Sequence, residues 1–267
     1  MTSLWIVTLA AFALLALIIV VLIKTTRLRA WQGVVLFLLP LLLANLLWFS
    51  WLKPQQQRAA QRQAAIDYLA QSPGYRVLQT QEPALWQLLV QELQHKLRLG
   101  ESPQQATGEL RGWLADIINQ RLMRAPDGAV VSYIRVSVNE MQALGRHDPQ
   151  LCFRFLYPQV SGGINLVKTL PPALNAQDAA ATEQLLLASR GADLPVDQPQ
   201  AQQDLQRIVA TLYKKWGDKL QQLNMPADTA VDRSSMCAMS IDLYSAILAL
   251  PDKRAANLLR RMVALSG

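Results

Sequence analysis

The residues of this chain that could do chemistry are few and scattered. It has two histidines, His95 and His147, and two cysteines, Cys152 and Cys237. There is no HExxH, no Cys-x-x-Cys and no carboxylate loop of the calcium type, so the sequence offers no metal site and implies no cofactor. His95 stands among Gln, Lys and Arg and is expected on a solvated helix face. His147-Asp148 precedes Pro149, where the aspartate is expected to cap the next helix rather than orient a base. Ser161-Gly162-Gly163 followed by Lys168-Thr169 resembles a phosphate loop only superficially. A P-loop needs Gly-x4-Gly-Lys-Ser/Thr between a strand and a helix. Arg233-Ser234-Ser235-Met236-Cys237 has no base beside it, and Cys237 falls among the apolar residues of its helix. A glycan-cleaving enzyme would need two carboxyls facing each other across a cleft. Sequence spacing pairs none of Glu92, Glu109, Glu140 and Asp242, and no catalytic residue is assigned.

The cysteines are more telling. An even count in an exported domain permits a disulfide between Cys152 and Cys237. In a reducing compartment the same residues would be small buried hydrophobes. The compartment therefore matters, and the N-terminal quarter of the chain bears on it. Leu4 to Ile23 and Trp31 to Leu52 carry no charge. Each is long enough as a helix to cross a hydrocarbon core of about 30 Å. Four of the seven tryptophans, Trp5, Trp31, Trp48 and Trp51, sit near the ends of these runs, where indoles favour the membrane interface. A cleaved signal peptide fits poorly, because the first run has no basic leader and no small-x-small cleavage site.

These features predict a two-helix transmembrane hairpin over 1–53, with spans at about 4–23 and 31–52. No Lys or Arg precedes the first span, whereas Lys24, Arg27 and Arg29 follow it. Retention of positive loops in the cytoplasm then places the hairpin loop inside and the rest of the chain outside. Lys53, Arg58 and Arg62 after the second span weaken the asymmetry, so a cytoplasmic domain is the alternative. Within the spans, Pro40 should bend the second helix. Thr8 and Asn45 lie at similar depth. Intramembrane polar groups want partners, so these two either bond to each other within the hairpin or reach another membrane subunit.

The net charge of +7 is misleading as a whole-chain number. Residues 1–53 hold four of the 26 basic residues and none of the 19 acidic ones, leaving only +3 for residues 54–267. The longest basic runs there are the dipeptides Lys214-Lys215, Lys253-Arg254 and Arg260-Arg261, read as solvated helix faces. A nucleic-acid binder concentrates such charge on one face, so nucleic acid is not an expected partner.

The elements beyond the hairpin read as helices. Residues 54–72 are rich in helix formers and poor in apolar side chains, which suggests a stalk helix ending at Ser72-Pro73-Gly74. Residues 75–81 suggest a short extended piece. Pro83 and Ser102-Pro103 mark helix starts, with Leu85, Leu88, Leu89, Leu93 and Leu97 on the first helix. Leu110, Trp113, Leu114, Ile117, Ile118 and Leu122 mark the second. Residues 129–145 contain strand-favouring valines, but Ile134, Val138, Met141 and Leu144 keep a helical period. Residues 158–175 form the longest irregular stretch. It is apolar for a loop and is expected to be a mobile binding loop, with Ser161, Gly162, Gly163, Ile164, Leu166 and Lys168 as its candidate residues. Leu205, Ile208, Val209, Leu212, Trp216, Leu220 and Leu223 predict one buried helix face. The short Leu250-Pro251-Asp252 connection predicts a final antiparallel helix pair.

The expected class is all-α: a membrane hairpin, a stalk, and an irregular helical bundle or stacked helix pairs over 73–267. Composition is compatible with the bacterial inner membrane and a periplasmic domain. The leading functional expectation is a non-enzymatic assembly or scaffold component of the bacterial envelope, partnered by a membrane protein or envelope complex. A sensor or carrier of a peptide, lipid or small molecule, with the 158–175 loop over its pocket, is the first alternative. A carboxylate-dependent envelope enzyme is the second.

Overall fold

The computed structural model describes Leu17, Ile18, Val20, Val21 and residues 30–266, and every regular element among them is helical. The chain divides into two compact units, Met1–Ala64 and Ala65–Gly267. Apart from the four residues just named, the expected span at 4–23 lies outside the described residues, as does Thr8.

In the first unit, α1 covers Ala30–Leu47 and contains Pro40. The apolar run does not continue as a regular α-helix, because Trp48–Leu52 winds as a π-helical turn. Among the described residues, no helix is long and apolar enough to cross a membrane. Helix α2, Lys53–Gln71, is the polar helix expected after this run.

The second unit begins within α2, where Ala65 and Leu69 are buried. Helix α3, Pro73–Gln81, replaces the extended piece expected at 75–81. Tyr75, Val77 and Leu78 are buried at helical spacing, so tertiary packing overrides the weak local signal. Helices α4 (Pro83–Arg98) and α5 (Pro103–Leu122) follow. Ser102 and Gln105 form a capping box on α5: the Ser102 hydroxyl accepts from the Gln105 N–H at 3.3 Å, and the Gln105 carboxamide accepts from the Ser102 N–H at 3.2 Å. Leu89 and Leu93 of α4 and Ala106 and Leu110 of α5 join α2 and α3 in one core cluster.

Helix α6, Asp127–His147, is the centre of the second unit. Its valines suit a strand, yet the helical period wins because neighbours cover it on several sides. It packs against α7 (Pro149–Leu156), α10 (Pro172–Ala188), α12 (Arg233–Leu248) and α13 (Asp252–Ser266). Val130 and Val131 enter the largest cluster with Phe153, Leu185, Met236, Met239 and Leu258. Val138, Met141 and Leu144 enter another, with Cys152, Leu170 and Cys237. Asp148 caps α7 as expected, accepting from the Gln150 N–H at 2.8 Å.

The stretch at 158–175 is more regular than a plain loop. Two one-turn helices, α8 (Pro158–Ser161) and α9 (Leu166–Thr169), interrupt it. Ile164 and Leu166 pack against the third cluster and Leu170 is buried in it. The longer irregular segment is the one at 189–197, ahead of α11 (Gln198–Trp216). The last two helices touch each other across the short connection, α13 also lies on α6 and α11, and Leu265 at its end is exposed.

A candidate interaction surface on helix α11

Helix α11 is specified at both ends. Asp197 caps it, accepting from the Gln200 N–H at 3.0 Å, and a proline follows in the first turn. Gly217 ends it with φ +55°, a conformation that other residues adopt reluctantly. Its inner face buries Ala201, Asp204, Ile208 and Leu212. A 3-10 segment, Gly217–Asn224, then buries Leu220.

Polar contacts fasten this inner face to α13. Arg254 grips Asp204 with two bonds, one of them from Nε to Oδ2 at 3.0 Å. The bond from Arg254 holds the Asp204 carboxyl below its ordinary pKa, with further help from Gln200 and Arg207. Asn257 brackets Asp197, accepting from its N–H at 2.8 Å and donating to its carbonyl at 2.9 Å. Arg261 donates to the Gln198 carbonyl at 3.0 Å and to Gln202.

The outer flank is different. Leu205, Val209 and Tyr213 recur at four-residue steps and, with Gln202, Gln206, Ala210 and Lys214, line an open depression of about 590 Å³. Val209 is 39% exposed and Tyr213 is 50% exposed. At 3.6 residues per turn, this stripe lies roughly 100° around the helix from the buried one. The Tyr213 hydroxyl donates to Asp218 at 2.6 Å, which fixes the ring and raises the phenol pKa. The result is a rigid apolar strip edged by amides and a lysine. Val209 had been expected in the core because it fits the same helical period. The signal that separates it is Tyr213, an aromatic continuing the Leu205–Val209 row away from the buried residues.

The cysteines meet. Cys152 on α7 and Cys237 on α12 are disulfide-bonded, with Cα atoms 5.8 Å apart and a sequence separation of 85. That separation lies in the range a disulfide requires. The bond crosses over Gly145 of α6, where an added Cβ would stand 3.2 Å from the Cys237 sulfur.

Among the described residues, the candidate carboxylates line neither the depression on α11 nor the one on α1. Glu140 is only 2% exposed and feels the charge of Asp178, a residue of α10. Burial, then the charge of Asp178, pushes the Glu140 carboxyl up to about 8, so it is protonated at neutral pH. Its Oε1 has no hydrogen-bond partner. Burial also raises the pKa of Tyr133 on the same helix, with Asp178 and Glu140 adding to the shift. Neither the depression on α11 nor the one on α1 is lined by these groups. Asp242 is engaged elsewhere, accepting from Trp216 Nε1 at 2.7 Å and Lys215 Nζ at 2.6 Å. Glu92 sits 3.8 Å from Lys96, and the side chain of Glu109 lies outside the described residues.

The other candidate residues are dispersed. His95 and His147 are exposed. Arg154 holds the 158–175 segment by donating to the carbonyls of Gly162 at 3.4 Å and Gly163 at 2.7 Å. Lys168 is exposed, and the Ser161 hydroxyl is buried without a partner. Asn45 is exposed on α1, and Thr8 lies outside the described residues. The basic dipeptide at 260–261 departs from the solvated reading. Arg260 is 3% exposed and donates to the Ala125 carbonyl at 2.7 Å, beside Asp127 at 2.8 Å.

Comparison with protein-family models, curated proteins and solved structures gave no match to this chain.

Proposed function

We propose that this chain is a membrane-anchored, non-enzymatic assembly or scaffold component of the bacterial envelope, presenting its helical domain to a protein partner. The exposed Val209 and Tyr213 on α11, continuing from the half-buried Leu205, carry this reading. An apolar strip on a helix that is otherwise fastened down suits a protein partner, which supplies its own apolar row and excludes water. A small-molecule carrier is less well supported, because an open depression along one helix would leave most of such a ligand in water.

The anchor in this proposal is the pair of apolar runs. Support comes from Leu38, Leu39, Leu42, Leu43, Leu46 and Leu47 of α1, all exposed, with Trp48, Phe49 and Trp51 continuing the exposed run through the π-helical turn. The disulfide supports placing the domain outside the cytoplasm, because such bonds persist in oxidising compartments.

A photo-crosslinking residue placed at Val209 in the full-length chain in cells tests the reading. We expect one discrete adduct from Val209 and none from Gln203, an exposed position on another side of α11. Val209→Asp should abolish partner binding without lowering the melting temperature by more than about 2 °C, since an exposed site contributes little to stability. Equal labelling at both positions would reject α11 as the contact surface.

A further inference from the structure

We propose that the face of α1 centred on Asn45 is a self-association surface, occupied in the bilayer by the same face of a second copy of this chain. The inference rests on the membrane reading above and names one partner for the anchor. Leu42, Asn45, Leu46 and Phe49 follow one another at i, i+3, i+4 and i+7, so they share one side of the helix. All four are exposed, and with Ser50 they line a shallow depression of about 480 Å³. Asn45 has the branched shape of leucine but ends in a carboxamide, which places one polar group in the hollow of an otherwise apolar face.

The chemistry of that face selects the occupant. Leucine and phenylalanine are content against lipid chains. The carboxamide is not, because it brings two N–H donors and an acceptor oxygen into a medium that can satisfy none of them. Ser50 makes no such demand, since its hydroxyl donates to the Leu46 carbonyl of its own helix. Asn45 has no hydrogen-bond partner among the described residues. A carboxamide is donor and acceptor at once, so two copies related by a two-fold axis can exchange reciprocal N–H···O bonds. The side chains of Leu42, Leu46 and Phe49 from each copy would then pack beside the other's hollow, and dispersion contacts would add to the polar pair. A polar residue within an apolar stripe also fixes register, which lipid contact alone cannot do.

The test uses the purified full-length chain in phosphatidylcholine vesicles, with donor and acceptor dyes attached at the C-terminus of separate pools. Energy transfer is followed as the protein-to-lipid ratio rises, and retention after alkaline carbonate washing is measured in parallel. The expected result is retention, transfer that saturates as for a dimer, an apparent dissociation constant raised on the order of tenfold by Asn45→Leu, and recovery to within about threefold by Asn45→Gln. Retention with no transfer would overturn self-association while sparing the anchor, and would favour a different membrane protein as the partner. Transfer unchanged by Asn45→Leu would overturn the role of this face, as expected if Asn45 is satisfied within its own hairpin. Loss of the wild-type chain to the carbonate wash would overturn the membrane reading itself.

Discussion

At the scale of single residues, the most consequential group is Glu140. Its carboxyl is raised from an ordinary 4.5 to about 8 by burial and by the charge of Asp178. A folded-state pKa above the unfolded value means that the folded chain binds the proton more tightly. The contribution of Glu140 to stability is therefore greatest below about 4.5, and falls as pH rises from there through about 8. Replacing Glu140 by Gln removes the proton from the balance while keeping the shape. Urea unfolding at pH 5, 7 and 9 should show the wild type weakening and Glu140→Gln holding steady. The gap at pH 9 should approach, and not exceed, about 5 kcal/mol. Parallel curves for the two proteins would mean that Glu140 is ionised in the folded state. Arg260 makes a second residue-scale case. It is buried on the Ala125 carbonyl and Asp127, whereas Arg261 lies nearer the surface on Gln198 and Gln202. Arg260→Ala should cost about 3 kcal/mol in the same assay, because it strands a buried carbonyl and a carboxylate. Arg261→Ala should cost about 1 kcal/mol.

At the scale of elements, close approach of helices α6, α7 and α12 depends on Gly145. A Cβ there would stand 3.2 Å from the Cys237 sulfur and 3.9 Å from the Cys152 Cβ. The sulfur is tied by the disulfide and cannot swing aside. Gly128, in the first turn of the same helix, has nothing within 4 Å of an added Cβ. Gly128→Ala should therefore raise stability by about 0.5–1 kcal/mol through helix propensity. Gly145→Ala should lower it by about 1–2 kcal/mol despite the same propensity gain. Thermal denaturation of the two variants decides this, and stabilisation by Gly145→Ala would show that the helices can move apart freely. Most helices were legible in the sequence because their signals are local. Ser102-Pro103, Asp148-Pro149 and the four-residue spacing of Ile208 and Leu212 need no knowledge of neighbours. What was not legible depends on packing. Residues 75–81 are helical because Tyr75, Val77 and Leu78 meet Leu69, Leu89 and Leu110. Residues 158–175 are held because Arg154 reaches two glycine carbonyls. The depression on α11 was hidden because Val209 satisfies the same period as the buried residues, and periodicity does not say where neighbouring helices stop. Arg260 was misread for the same reason, since a dipeptide of arginines carries no mark of which one a neighbouring carbonyl will claim.

At the scale of the whole chain, the proposed placement of the domain outside the cytoplasm rests on charge distribution and cysteine chemistry. Lys24, Arg27 and Arg29 lie between the two apolar runs, and the proposed orientation keeps this basic loop in the cytoplasm and the domain outside. The Cys152–Cys237 bond depends on no such rule. It links positions separated by 85 in the sequence and should stabilise the domain by about 4 kcal/mol in the chain-entropy view. In the cytoplasm reductants would open it, and that stabilisation would be lost. Two measurements therefore have to agree. Alkaline phosphatase fused after residue 70 should be active, and a fluorescent protein that matures only in the cytoplasm should stay dark at the same position. Thiol labelling of the chain taken directly from cells into denaturant, without reductant, should modify neither cysteine. The first result without the second would leave the domain outside with unpaired thiols, and would remove the disulfide as a source of stability. The reverse pattern, a fluorescent fusion with blocked thiols, would place a disulfide in the cytoplasm, which the redox argument forbids for an ordinary structural bond. A fluorescent fusion with two labelled thiols would overturn the external placement as a whole. Gly145→Ala would then lose its penalty too, because the Cys237 side chain would be free to turn away from the added methyl group.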